Sequence, residues 1–284
     1  MTRVAYQGEP GAFGEEAVVG WFGDEVEPIG VPTFSAVCAA VEEGHMDAGV
    51  LPLENSLAGT VGDALDALAG GTLRVVGEVL LPIRHQLLVT PGATLDDVRR
   101  VSSHWQALAQ CERFLARRGW EVVPAADTAG AARELAASDD PTTAAIASRR
   151  AAAHYGLEIA AEDIQDADHN LTRFAVLVPE GAVAPGASGA LAPRGGDRET
   201  LLTFETGHRP GDLYRALGIL AEAGINLSRI ESRPSGDGPW RYRFLIQVSG
   251  DALAEPLRAA LIGLREHTRS MRVLGSFDTD SSEA

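Results

Sequence analysis

Four short segments of this chain carry the side chains best suited to chemistry. Pro52-Leu53-Glu54-Asn55-Ser56 groups a carboxylate, an amide and a hydroxyl where a strand gives way to a helix. Ser103-His104-Trp105-Gln106 opens another helix, with Gln110 one turn beyond Gln106, so the two amides share a face. Asn170-Leu171-Thr172-Arg173-Phe174 sets a hydroxyl beside a guanidinium just before an apolar strand. Gly8-Glu9-Pro10-Gly11-Ala12-Phe13-Gly14 joins the first strand to the first helix, where a bare backbone can approach an anion at the helix N-terminus. Together these supply neutral hydrogen-bond donors, one cation and several hydroxyls, a set able to offer a cation and a hydroxyl to one ligand and a bare backbone to an anion.

Each segment also has a plainer reading. Gly8–Gly14 serves equally as a tight turn, and it is no dinucleotide fingerprint, because Pro10 and Phe13 stand where glycines belong. Thr60 with Asp63 fits a helix-capping pair, and Ser103 with Gln106 fits the S-x-x-Q capping box, which alone accounts for both residues. Asn170–Arg173 also suits a solvated turn entering a strand, and His104 a packed or surface histidine.

Elements able to position such groups follow from the pattern of apolar residues. Strand-like runs at 4–6, 25–31, 48–51, 72–81, 85–89, 99–102, 121–124 and 143–147 alternate with helical stretches at 15–22, 34–43, 61–68, 106–117 and 128–137. The alternation predicts parallel or mixed sheets covered by helices, too many strands for one lobe, and hence two α/β lobes with a cleft. Residues 180–199, rich in Gly and Pro, form a linker. From 200 to 277 the order β-α-β-β-α-β predicts a ferredoxin-like unit, and 278–284 is an acidic tail.

Composition narrows the partners. With 24 Lys+Arg against 40 Asp+Glu in 284 residues the net charge is 24 − 40 = −16, which argues against nucleic acid and against an anionic membrane surface. Cys38 and Cys111 make no disulfide framework, no metal-ligand spacing occurs among the seven His, and the start of the chain shows no signal peptide. The expectation is a soluble, cytoplasmic protein with no metal and no cofactor.

The four segments, in this order, resemble prephenate dehydratase and its close relative arogenate dehydratase. Pro52-x-Glu54-Asn55-Ser56, Ser103-His104-x-Gln106-Ala107 and Asn170-x-Thr172-Arg173-Phe174 match three elements of that family, and Glu231-Ser232-Arg233-Pro234 matches the E-S-R-P element of the regulatory ACT domain. The resemblance runs from Val4 to Phe277. It implies a catalytic domain over 1–179 like the type II periplasmic-binding fold, with one lobe made of 1–80 plus 170–179 and the other of 81–169. An ACT domain follows.

The implied reaction converts prephenate to phenylpyruvate with loss of carbon dioxide and water. In it Thr172 hydrogen-bonds the leaving hydroxyl, Arg173 holds a carboxylate or fixes the contact between lobes, and Asn55, Ser56, Ser103, Gln106, Gln110 and Phe174 surround the substrate. Positive potential for the dianion is expected from Arg173 and from helix starts near Gly14, Thr60 and Ser103. Phenylalanine is the implied effector, held by Gly211, Leu213, Asn226, Leu227, Glu231, Ser232 and Arg233, in a homodimer or homotetramer.

Three features depart from the pattern. Trp105 replaces a usual Pro, Ala12 and Gly14 replace hydroxyl residues, and Asp212 stands where a small apolar residue is usual, close to the effector's carboxylate. Arogenate remains an alternative substrate at this point, since 5–8 and 10–12 look like the arogenate-using branch. A relative that decarboxylates without aromatising lacks the Thr and the ACT domain, and a two-lobed binding protein without catalysis would carry a signal peptide.

Overall fold

The structure, a computed structural model, describes residues 1–183, 185–193 and 195–279. The chain begins with β1 (Thr2–Gln7), α1 (Phe13–Phe22), β2 (Val26–Val31), α2 (Phe34–Glu42), β3 (Ala48–Asn55), β4 (Gly59–Thr60), α3 (Gly62–Gly70) and β5 (Arg74–Pro82). It crosses to a second lobe of β6 (Gln86–Val89), β7 (Arg100–His104), α4 (Trp105–Gln110), α5 (Glu112–Ala116), β8 (Glu121–Ala125), α6 (Thr128–Ser138), β9 (Thr143–Ala147), α7 (Arg149–Tyr155) and β10 (Glu158–Ala161). It returns as β11 (Leu171–Val178), which slots antiparallel between β3 and β5 in the first sheet, of order β2-β1-β3-β11-β5. The second sheet runs β10-β6-β9-β7-β8.

Both central strands of the first sheet are buried on two faces, as parallel strands under helices must be: Val4, Ala5 and Tyr6 of β1 and Val50 and Leu51 of β3 are at most 1 % exposed. The crossing segments are bonded to one another. Ile83 N–H donates to the Asn170 carbonyl and Ile164 N–H to that of His85, so the hinge is a short paired ribbon.

The C-terminal unit has β12 (Arg198–Glu205), α8 (Asp212–Glu222), β13 (Leu227–Pro234), β14 (Tyr242–Ser249), α9 (Leu257–Glu266) and β15 (Ser270–Asp278), with sheet order β13-β14-β12-β15. One face of this sheet packs Leu202, Phe204, Ile246 and Val248 under α8 and α9. Its other face turns Leu201, Leu245, Leu274 and Phe277 into the core of the first lobe, against Leu53, Leu73, Val75 and Leu177.

Two local readings are corrected. The single helix expected over 106–117 breaks at Cys111 into α4 and α5, because the returning segment wedges in there: Asp166 N–H donates to the Gln110 carbonyl, and the Asp166 carboxylate accepts from Arg113 N–H. The helix α7 and strand β10 are additional, α7 being started by Ser148, whose hydroxyl accepts from Ala151 N–H at 2.9 Å. The Gly- and Pro-rich stretch lies against the end of α1, Gly189 and Leu191 N–H donating at 2.7 Å to the carbonyls of Trp21 and Gly20. Of the expected tail, 280–284 lie outside the described residues.

Candidate functional site

A cleft of about 1050 Å³ separates the two lobes at the carboxyl ends of the strands. Asn55, Gln106, Gln110, Thr172 and Phe174 all line it, as five of the residues read from the sequence should. Asn55 is the organiser. Its Oδ1 accepts from the backbone N–H of Leu57 and Ala58 at 3.1 and 2.9 Å, so its amide nitrogen faces the other way. That nitrogen donates to Asn170 Oδ1 at 2.7 Å, the Leu171 carbonyl at 3.1 Å and Thr172 Oγ1 at 2.9 Å.

Polarity then propagates outward. Asn170 Nδ2 donates to Gln110 Oε1 at 3.0 Å, so the ring nitrogen of His85 that lies 2.8 Å from the same oxygen must be the protonated Nε2. Gln110 Nε2 reaches back to Asn55 Oδ1 at 3.4 Å. The consequence for Thr172 is specific. Its oxygen accepts from an amide, and among the described residues no protein acceptor takes the hydroxyl's own hydrogen, which is therefore available to a ligand in the cleft.

His85 and Asn170 complete this network although the sequence reading gave them no role. Asn170 lay in a motif already singled out, but His85 offered no spacing signal, since its partners lie tens of residues away. His85 is 2 % exposed with Phe13 edge-on at 5.6 Å, and burial pushes its pKa below the ordinary value, outweighing the Gln110 hydrogen bond, which raises it. As pH falls below about 6.5, the unfolded chain therefore binds a proton that the folded chain refuses, and stability falls with it. Replacing His85 by Gln is expected to flatten that part of the pH dependence, measured by urea unfolding at pH 5.5 and 7.5; an unchanged slope contradicts a buried neutral imidazole.

Three expected ligand residues are elsewhere. Ser103 is fully buried and donates to the Ile146 carbonyl of β9 at 2.6 Å; the cap of α4 is His104, whose Nδ1 accepts from Gln106 N–H. Ser56 ties the lobe-crossing ribbon, donating to the His169 carbonyl and accepting from Leu171 N–H. Arg173 points away from the cleft, because alternate residues of a strand face opposite sides; it pairs with Glu78 at 3.2 Å. Burial raises the Glu78 pKa against the lowering effect of Arg173. Thr60 does not cap α3, whose N-cap is Val61, but donates to Glu231. Trp105 stands exposed on the cleft wall.

No Arg or Lys of the described residues lines the cleft. Instead five helices, α1, α2, α3, α4 and α6, present residues of their first turns to it, and α1 and α3 have no side-chain cap on their free N–H groups. The uncapped N-termini of α1 and α3 supply partial positive charge to an anion within a protein of net charge −16, whereas that of α6 is already taken by the Asp127 carboxylate. The Gly8–Gly14 loop also bridges the lobes. Gly11, at φ +86°, lies so close to Ala151 that a Cβ there would meet its Cα at 2.5 Å, while Ser148 Oγ donates to the Gly11 carbonyl and Arg150 pairs with Glu15 at 2.6 Å.

The seven expected effector residues are not brought together in one chain. Gly211 and Leu213 start α8 beyond the carboxyl end of β12, whereas Asn226 and Leu227 lie at the opposite end of the sheet, Leu227 opposite Val248 and Val248 opposite Thr200. Glu231 and Arg233 turn toward the first lobe, onto Thr60 and Asp66, while Ser232 pairs with Phe244 along β14. The Asp212 carboxylate is taken up by Arg209 N–H and Arg215, which hold its pKa low.

Among the described residues no cluster of three or more His, Cys, Asp or Glu is placed to hold a metal ion, and no helix is long and apolar enough to cross a membrane. Residues 4–182 match the family model for prephenate dehydratase and 200–266 the ACT domain. An arogenate dehydratase/prephenate dehydratase of Arabidopsis thaliana chloroplasts is 39 % identical over 99 % of this chain and 74 % of its own length. A bifunctional chorismate mutase/prephenate dehydratase of Neisseria gonorrhoeae is 38 % identical over 97 % and 74 %. Among solved structures, the prephenate dehydratase of Arthrobacter aurescens in complex with L-Phe superposes with a TM-score of 0.89 at 33 % identity, covering 99 % of this chain and 92 % of that one. A protein described as a novel type of quorum-quenching acylase, GqqA, does so equally at 0.89, with 35 % identity, 99 % of this chain and 100 % of that one.

Proposed function

The chain belongs to the prephenate dehydratase family and carries an ACT domain, and from that premise we propose that its cleft converts prephenate to phenylpyruvate, carbon dioxide and water. The observation that carries this reading is the hydroxyl of Thr172, its oxygen occupied by the Asn55 amide and its hydrogen free. Prephenate needs such a donor. As the ring carboxylate departs as carbon dioxide, the electrons of its C–C bond pass through the ring and expel the hydroxyl on the far carbon, which leaves with its bonding pair and takes up one proton.

Thr172 stabilises that leaving oxygen by hydrogen bonding, solvent supplying the net proton, and aromatisation drives the step. Helix N-termini hold the two carboxylates, while Gln106 and Gln110 offer neutral donors from the opposite wall. Acyl transfer is less well supported, because the Thr172 oxygen faces an amide donor and, among the described residues, has no base positioned to take its proton.

Phenylalanine acts in this reading as feedback effector through the ACT domain. The separation of Gly211 and Leu213 from Asn226 and Leu227 supports an effector pocket shared between two copies, and so a homodimer or homotetramer. The test is incubation with prephenate and with arogenate. Release of phenylpyruvate, read by its absorbance in base, with kcat/KM for prephenate above that for arogenate is expected; unchanged prephenate overturns the assignment.

A further inference from the structure

Three side chains of β13 leave the ACT sheet on one face and end on a single stretch of the cleft wall. Arg229, 7 % exposed, donates from Nη2 to the Leu53 carbonyl at 3.0 Å, with its Nε 3.5 Å from Glu54 Oε2. Glu231 accepts from Thr60 Oγ1. Arg233 forks onto Asp66, Nε to Oδ1 at 3.1 Å and Nη2 to Oδ2 at 2.6 Å. Residues 229, 231 and 233 alternate along a strand, so the pleat turns all three the same way.

The stretch they reach, 53–66, contains Asn55, Val61, Asp63 and Asp66 of the cleft lining, and β4 within it pairs with Glu54 and Asn55. Gly62 shows how close the contact is: a Cβ there would lie 2.5 Å from Arg233 Nη1, so the first turn of α3 is left bare for the guanidinium.

We propose that β13 is a working part of the active site: Arg229, Glu231 and Arg233 are positioning residues that hold 53–66, and through it the Asn55 carboxamide that presents Thr172. This rests on the roles given to Asn55 and Thr172 above. Arg229 acts most directly, since it holds the carbonyl two residues before Asn55 and faces the carboxylate one residue before it. Any event that moves β13, effector binding included, reaches the leaving-group donor through two residues of backbone.

Two variants of the full chain test this. Arg229→Met keeps the length of the stem and removes the fork. Gly62→Ala leaves Arg229, Glu231 and Arg233 unmutated, favours the helix, and crowds the Arg233 guanidinium off Asp66. For Arg229→Met we expect kcat to fall about tenfold or more with KM changed less than about threefold, and phenylalanine binding by calorimetry to persist. Exchange of the Leu57 and Ala58 amides, which Asn55 Oδ1 protects, is expected to accelerate. Gly62→Ala is expected to lower kcat by roughly threefold without lowering the melting temperature.

Wild-type kcat in folded Arg229→Met and in Gly62→Ala overturns the proposal. So does loss of phenylalanine binding in place of these changes, which would put β13 in the effector pocket. The exchange measurement reads the hold on 53–66 without any substrate, so a wild-type chain inert toward prephenate would sink the assigned reaction and leave this contact separately testable.

Discussion

Replacement of Thr172 by Val is expected to lower kcat on prephenate by about three orders of magnitude, the combined scale of losing a proton-bearing group and a preorganised donor at a developing oxyanion. The fold should survive. Thr172 is 8 % exposed, Val has nearly its shape, and the Asn55 amide keeps its other two acceptors, Asn170 Oδ1 and the Leu171 carbonyl. No buried donor is orphaned, so stability should change by less than about 1 kcal/mol. Thr172→Ser, which keeps the hydroxyl, should retain activity to within about tenfold. Steady-state kinetics with a urea melt on both variants checks this; comparable activity in Val and Ser contradicts a role for the hydroxyl.

Asn55→Asp should be nearly as damaging, and for a different reason. The replacement has the same outline but only accepts, so it faces Asn170 Oδ1 and the Leu171 carbonyl with no hydrogen to offer. Thr172 would then donate to the new carboxylate and turn its hydrogen away from the substrate. A fall in kcat of about 10²–10³ is expected, with about 3 kcal/mol of stability lost through the unsatisfied buried groups. Unlike Thr172→Val, this variant should fail both in turnover and in urea unfolding, and a stable, active Asn55→Asp protein would refute the polarity assigned to the network.

Much of the architecture could be read from the chain because its strands are bounded by turn residues and its helices carry continuous apolar stripes. The ferredoxin-like order of the last domain is local in this sense. Cleft residues were legible where two lay on one helix face, as Gln106 and Gln110 do. Ser103 misled by one position: the S-x-x-Q pattern is present, but the strand β7 runs on through it and His104 takes the cap.

Arg173 misled because the return strand was expected to begin at Ala175. Starting it at Leu171 puts Thr172 and Arg173 on opposite faces, which strand geometry then requires. What no local pattern reveals is docking between distant segments. Ser56 meets His169 across 113 residues, and Arg229 meets Leu53 across 176. The alternation of Arg229, Glu231 and Arg233 was visible along the strand, but only the packed sheet shows that this face meets Leu53, Thr60 and Asp66 of the first lobe.

The most direct test is a crystal structure of the chain with a prephenate analogue that retains the ring hydroxyl but cannot lose carbon dioxide. The account predicts the analogue between the lobes, with Thr172 Oγ1 about 2.5–3.0 Å from its hydroxyl oxygen while still accepting from Asn55 Nδ2. A bound analogue whose hydroxyl meets another group, with Thr172 out of hydrogen-bond reach, would contradict it.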